Sequence, residues 1–340
     1  MPDQVLTRAI DRLASGEDLE AGEVESVLTV IMEGGADEVQ TAGFLIALRT
    51  KGETVEELAG MARTMRRLAT PVSPERQDVV DTAGTGGGPS TINASTIAAL
   101  VAAGAGCAVA KHGNRSNTSL CGSADLLEEL GVPIDLTPEE IAASIDQVGF
   151  GFMFAPLHHE ATRYVVPVRK ALGVRTAFNL LGPLTNPAAA KRQVVGVSDR
   201  EFQETVAGAL STLGSEHALV VSAEDGTDEI ALTAPTRIFE VREGEIEEWS
   251  VEPSGLGLRE ASPDELAGGT PAENAEATRR ILSGEDSAGR DFAVANAAAA
   301  IFVAGRAETL ADAIPIATES IDSGAAARVL ERLVESGPGR

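Results

Sequence analysis

Over the first 70 residues apolar positions recur at helical spacing: Val5, Leu6, Ala9, Ile10 and Leu13, then Val24, Val27, Leu28, Ile31 and Met32, then Phe44, Leu45 and Leu48. Another helix opens at Thr54-Val-Glu-Glu57, which reads as a capping box, with Leu58, Met61, Met65 and Leu68 on one face and Pro71 beyond its end. Strand periodicity is absent from this stretch. A helical unit of that length has a thin core and needs a neighbour, so its apolar faces are candidates for a subunit interface.

From residue 78 the texture changes. DVVDTAG, STIAALVAAG, CAVAKHG, ADLLEELG and VPIDL alternate short apolar runs with helical patterns, a βαβ rhythm. Thr137-Pro-Glu-Glu140 opens a helix running toward Val148, and GFGFMFAP follows as a buried strand. QVVGV, a helix starting near Ser198, and HALVVSA repeat the rhythm. Residues 236–251 predict a hairpin turning near Glu243-Gly244, and the remainder is mostly Ala-rich helix. The expected fold class is α/β: a small all-helical N-terminal domain plus a larger α/β domain whose central, mostly parallel sheet is flanked by helices. The expected boundaries are 1–72, joined by helices from about 160–185, and 76–340.

Composition narrows the function. Of 340 residues, 43% are hydrophobic, enough for a packed core. Lys and Arg total 27 against 52 Asp and Glu, a net charge of −25 that opposes nucleic acid and anionic membranes. Aromatics at 3% supply few stacking platforms for single strands. The two cysteines, Cys107 and Cys121, fit neither a zinc motif nor a disulfide framework and read as buried thiols. The N-terminal segment lacks a leader pattern and no run reaches the ~18 apolar residues of a membrane span, so a soluble, cytoplasmic enzyme acting on small molecules is expected.

Open α/β sheets place ligands at the C-terminal ends of their strands, and four segments qualify. Asp81-Thr-Ala-Gly-Thr-Gly-Gly-Gly88 runs through Asn93, Ser95 and Thr96 into a helix, an arrangement that offers N–H groups to a phosphate. Position 89 is Pro, so this is not a dinucleotide fingerprint, and no P-loop occurs. Lys111-His-Gly-Asn114-Arg115 follows a second strand, with Lys111 a candidate point charge on phosphate and Asn114 and Arg115 positioned to bond a substrate or brace the loop. The third segment carries His158, His159, Arg169, Arg175 and Gly182-Pro-Leu-Thr-Asn186-Pro. Arg169 there could fork onto a carboxylate, whereas the adjacent histidines do not suit one metal ion. The fourth, Glu224-Asp-Gly-Thr-Asp228-Glu229, is either a Mg²⁺ station facing the phosphate loop or a solvated acidic turn.

In this order and spacing, GTGG with N-x-S-T, AKHGNR, GSADLLE, VPVR…LGVRT…FN…LGPLTNP and DGTDE resemble the anthranilate phosphoribosyltransferase family, over nearly the whole chain. The resemblance implies transfer of ribose 5-phosphate from phosphoribosyl pyrophosphate to the amine of anthranilate, in tryptophan biosynthesis, by a homodimer joined through the helical domain. It implies that Gly84, Thr85, Gly86, Gly87, Asn93, Ser95, Thr96, Lys111 and Ser123 bind the donor. Asp228 and Glu229, with Ser95, would hold Mg²⁺. His112, Asn114, Ala155, His159, Arg169 and Gly182 would line the acceptor path, with Lys111, Asn114 and Arg169 closest to the chemistry. Within the same superfamily, the alternatives are a transferase for another aromatic amine and a pyrimidine nucleoside phosphorylase-like enzyme. Three positions depart from the family pattern: Gly88 stands where Asp is frequent, in a loop that reads one residue short, Glu160 where Pro is usual, and Thr162 where Met or Tyr is frequent. The first is expected to alter metal and pyrophosphate handling, and the other two to bear on acceptor preference.

Overall fold

The computed structural model describes residues 2–116 and 119–336; Asn117 and Thr118 lie outside the described residues. Helices α1 (Gln4–Ala14), α2 (Ala21–Met32), α3 (Glu38–Lys51) and α4 (Val55–Leu68) come first. The chain continues through β1 (Val79–Gly84), α5 (Ala94–Gly104), β2 (Ala108–Gly113), α6 (Ser123–Glu129), α7 (Pro138–Val148), β3 (Phe150–Phe154), α8 (Ala155–His158), α9 (Val166–Leu172) and α10 (Phe178–Leu181). It then forms β4 (Arg192–Gly196), α11 (Gln203–Thr212), β5 (His217–Ala223), the hairpin β6 (Thr236–Arg242) and β7 (Glu245–Val251), and α12 (Pro271–Leu282), α13 (Ala288–Val303), α14 (Leu310–Asp322) and α15 (Ala325–Glu335).

The sheet order is β3-β2-β1-β4-β5-β6-β7. The first five strands are parallel, while β6 and β7 run antiparallel. From β1 the chain winds outward to β3 and then returns to place β4 on the other side of β1, so the topology reverses between β1 and β4. Crevices open at such a reversal, at the carboxyl ends of the strands. Gly84 and Gly196 are register partners there.

Strand periodicity divides the core. Val80, Val109, Val194, Leu219 and Val221 face α5 and α13, and their strand neighbours Val195, Ala218 and Val220 face the other way. Helix α13 is buried along nearly its whole length, which suits its run of alanines packed against the small residues of α5. The opposite layer is continuous: Leu28, Phe44 and Leu58 of the N-terminal helices share one apolar cluster with Val168, Phe178, Leu181, Val206 and Val220. This cluster supplies the neighbour that a four-helix unit lacks by itself.

The hairpin turns at Glu243 and Gly244, both with positive φ, as the sequence predicts. The run VPIDL does not form a strand. Val132 and Ile134 are buried against α5 and α6, but Pro133 has no N–H for a ladder, so apolar content produces a packed loop instead. The helix expected near Ser198 begins as a 3₁₀ turn at Arg200 and becomes α-helical at Gln203. Cys107 and Cys121 are free and buried.

Glu57 fixes the helical unit. Its fully buried carboxylate accepts from Leu19 N, Thr54 N and Lys51 Nζ, each at 2.9 Å. It therefore closes the α4 capping box, ties the segment before α2 and neutralises a buried lysine. Glu57→Ala should remove all three at a cost of about 3 kcal/mol or more, read as a lower urea midpoint of the native protein. Glu57→Gln, which keeps acceptor capacity, should fall between the two, and an unchanged midpoint in the alanine variant would refute the assignment.

Candidate active site

A cleft of about 670 Å³ opens at the β1/β4 reversal. It is lined by the glycine loop after β1, the turn after β2, the start of α8, the α10 region and the acidic turn after β5. Backbone bonds shape the glycine loop: Thr85 N donates to Gly196 O at 2.8 Å, and Ser198 Oγ donates to Gly86 O at 2.8 Å. The loop leads into α5, where Thr82 Oγ1 bonds Ser95 O at 2.8 Å, so strand and helix start are joined. Asn93 donates to Cys121 O at 3.0 Å and accepts from Asn274 at 2.7 Å, holding the loop's far end.

The acidic turn is built into the crevice. Gly86 N donates to Asp228 Oδ2 at 3.0 Å, and a Cβ on Gly196 would stand 1.7 Å from the Asp228 carbonyl oxygen. Two residues on, Ile230 is clasped by Asn296 of α13, which accepts from its N–H at 3.0 Å and donates to its carbonyl at 3.1 Å. The Thr233 hydroxyl bonds Asp225, which also accepts from Thr227 N at 3.0 Å. Asp228 and Glu229 therefore occupy fixed positions. Burial pushes both carboxyls above the usual range, and for Glu229 the neighbouring Asp228 charge adds to it.

Asp81 and Lys111 lie beneath the cleft floor. Asp81 accepts from His112 N at 3.1 Å and from Asn186 Nδ2 at 2.8 Å, and burial raises its pKa to about 6. Lys111 Nζ donates to Thr82 O at 2.5 Å and lies 3.3 Å from Ser95 Oγ. Burial lowers its pKa to about 8, opposed by Asp81 and Glu229. Its charge is directed into strand and helix start as much as into the cleft. The sequence marks Lys111 as a candidate point charge on phosphate but carries no signal for its bonds to Thr82 and Ser95, nor for the Asp81–Asn186 bond between residues 105 apart.

On the α8–α10 side three histidines are buried. His112 Nδ1 lies 3.1 Å from Gly182 O, and its ring meets that of His159 edge-on at 5.1 Å. Burial lowers the pKa of His112 to about 3 and that of His159 to about 4, with the neighbouring imidazoles adding to both. All three Nε2 atoms, including that of His158, are buried without a partner among the described residues. Burial also lowers the pKa of Arg169; its guanidinium lies 5.4 Å from the Phe178 ring centre and 3.4 Å from Asn179 Oδ1. The Thr162 hydroxyl donates to His159 O at 2.7 Å, while Glu160 is exposed.

Most expected site residues meet at this cleft: Gly84, Thr85, Gly86, Gly87, Asn93, Ser95, Lys111, His112, Asn114, Ser123, Ala155, Gly182, Asp228 and Glu229. Three do not line it. The Thr96 side chain is buried with a hydroxyl that has no partner among the described residues, His159 lies against His112, and Arg169 reaches the cleft through Asn179. Arg115 braces rather than binds, pairing with Asp125 at 2.9 Å and Glu128 at 2.8 Å. Gly88 fits its place for a steric reason: a Cβ there would lie 2.6 Å from Gly226 O, so an Asp would force the acidic turn away.

A helical unit on an α/β domain, with a glycine loop facing paired carboxylates at the sheet's reversal, is the architecture of a class of group-transfer enzymes. The chain belongs to the glycosyl transferase family: its helical bundle domain matches residues 7–69 and its a/b domain residues 76–327. More particularly, the chain is 51% identical to the anthranilate phosphoribosyltransferase of Symbiobacterium thermophilum over 95% of both chains. The crystal structure of that enzyme from Thermus thermophilus superposes with a TM-score of 0.91 at 44% identity, covering 96% of this chain and 98% of that one. The Saccharomyces cerevisiae enzyme, solved with phosphoribosyl pyrophosphate and Mg, matches at 0.89 and 29% identity, with 98% of each chain covered.

The Lys111 geometry gives a pH prediction. The folded pKa lies below the value of 10.5 for an exposed lysine, so the unfolded chain binds more protons between pH 8 and 10.5, and native stability rises with pH across that window. The wild type should gain about 3 kcal/mol relative to Lys111→Met over this range, measured by denaturation at each pH. Parallel pH profiles for the two proteins would contradict it.

Proposed function

We propose that this chain transfers the 5-phosphoribosyl group from phosphoribosyl pyrophosphate to the amine of anthranilate, releasing pyrophosphate, as a step of tryptophan biosynthesis. The observation that carries the reading is one cleft with two unlike ends. At one end a glycine loop faces Asp228 and Glu229, and at the other stand the uncharged imidazole of His112 and Asn179, behind which lies Arg169, a cation with no ion pair among the described residues.

The carboxylate pair fits Mg²⁺. Both groups are hindered from ionising, and Glu229 Oε2 is buried without a hydrogen-bond partner among the described residues, so an acceptor is left for a cation. Asp228 and Glu229 would hold the ion, with Ser95 near the phosphates, in keeping with a metal bound by one or two carboxylates and substrate oxygens. When bound, Mg²⁺ supplies charge neutralisation to the departing pyrophosphate.

The chain's own groups do the remainder. The side-chain-free loop Gly84–Gly87 admits the donor's phosphates, and Asn93, Ser95 and Ser123 orient them, while Lys111 sets a positive potential beneath. Arg169, with Asn179, receives the acceptor's carboxylate, and Asn114, Ala155 and Gly182 shape its path. His112 and His159 are neutral near pH 7, so they neither protonate the attacking amine nor repel Arg169. Attack by a free aromatic amine needs positioning more than a strong base, so orientation dominates. The acceptor end supports anthranilate over a nucleobase because it sets a guanidinium with no carboxylate partner among the described residues behind uncharged walls. The yeast enzyme has also been solved with 4-fluoroanthranilate.

The helical unit offers a surface for a second copy. Val39 is 81% exposed and shares a face of α3 with the exposed Ile46.

Anthranilate fluorescence should fall when the protein meets phosphoribosyl pyrophosphate and Mg²⁺, and Asp228→Asn should slow this roughly a hundredfold or more. Retained fluorescence with wild-type protein that binds the donor would sink the acceptor assignment. Sedimentation should give twice the 35.1 kDa chain mass, and a Val39→Asp, Ile46→Asp variant should sediment as a monomer. A monomeric wild type at micromolar concentration would overturn the dimer.

A further inference from the structure

Among the described residues, three cationic side chains of Lys or Arg line the cleft: Lys111, Arg115 and Arg175. Lys111 is committed to Thr82 and Ser95, and Arg115 to Asp125 and Glu128. Arg175 differs from both. It is exposed, makes no ion pair among the described residues, and spends its guanidinium on a neutral acceptor, the Gly86 carbonyl, at 3.1 Å.

Its surroundings make that bond exchangeable. Gly86 O also accepts from Ser198 Oγ at 2.8 Å, so the carbonyl keeps a partner if the guanidinium leaves. Gly87 has a φ of +93°, and a Cβ there would stand 1.9 Å from Arg175 Nη1, so the missing side chain is what admits the guanidinium to this end of the cleft. Gly86 N holds Asp228, which puts the guanidinium beside the carboxylate pair. Arg175 is also anchored from the opposite layer: Arg49 of α3 donates to its carbonyl at 2.8 Å, and Thr176 N is fixed on Asn179 at 3.0 Å. One residue thus joins the helical unit, the acceptor-side Asn179 and the glycine loop.

We propose that Arg175 is a donor-binding residue: its guanidinium exchanges the Gly86 carbonyl for pyrophosphate oxygens of the phosphoribosyl donor, with Arg49 holding its backbone in register. This rests on the transferase reading above. A charged phosphoryl group offers the fork geometry and the charge that a single carbonyl lacks, so the exchange is favourable. The position near Asp228 selects the pyrophosphate end over the acceptor.

Calorimetry with inorganic pyrophosphate and Mg²⁺, together with steady-state kinetics, tests this. Arg175→Gln should weaken pyrophosphate binding and raise the donor KM about tenfold to a hundredfold, with the anthranilate KM within about twofold. Arg175→Lys, which keeps the charge and loses the fork, should fall between. Arg49→Gln should weaken pyrophosphate binding severalfold, and by less in the Arg175→Gln background. Pyrophosphate affinity within about twofold of wild type in Arg175→Gln, or equal rises in both KM values for Arg175→Gln and Arg175→Lys, would overturn the proposal in favour of a loop brace. Arg175-dependent pyrophosphate binding by a wild type that does not consume anthranilate would support Arg175's role while removing the transfer reading.

Discussion

The closest constraint in the molecule is the contact between the Asp228 backbone and the end of β4, where no side chain fits at Gly196. It matters because β1 and β4 end together at this point, where the cleft opens. Gly84 faces Gly196 across the register and is equally restricted, since a Cβ there would lie 2.7 Å from Asp228 Oδ2. The paired carboxylates are thereby set at the topological reversal itself, and Asn296 of the buried helix α13 prevents the turn from lifting away. Sheet topology, two glycines and one buried amide fix the position of the metal-ligand candidates before any ligand arrives.

A second layer of charge supports the first. Asp81 and Lys111 sit on adjacent strands, both buried, and each opposes the cost of the other's burial. Removing either leaves the other's charge buried with less of its counter-charge, so the two are interdependent. Their hydrogen bonds lead outward: Asp81 to His112 N and Asn186, Lys111 to Thr82 and Ser95. The floor of the donor end and the wall of the acceptor end are therefore parts of one polar network.

Local signals in the sequence carried far. The boxes at Thr54–Glu57 and Thr137–Glu140 mark real helix starts, the alternating runs mark real strands, and the clustered Gly, KHGNR and DGTDE segments meet at one cleft. What escaped was non-local. VPIDL has strand composition, yet Pro133 denies it a ladder. Arg115 and Lys111 look alike in sequence, but only the fold shows Asp125 and Glu128 capturing one and Thr82 the other. Arg175, Asn186 and Asn296 act on partners 89, 105 and 66 residues away, and no spacing within a motif encodes those distances.

The charge balance poses a last problem, that of an anionic donor approaching a chain with a net charge of −25. At physiological ionic strength charges are screened beyond about 8 Å, so the overall excess of acid matters less than what the donor meets inside the cleft. There the negative groups are two carboxylates reluctant to ionise, and a divalent cation held by them would cancel their charge. Around them stand backbone N–H groups, the start of α5, Lys111 below and Arg175 above the loop. Each is short-ranged, and each depends on a geometry that the crevice sets. Selectivity for a polyphosphate donor would thus arise at contact distance, and the surface is left free to carry the acidic excess.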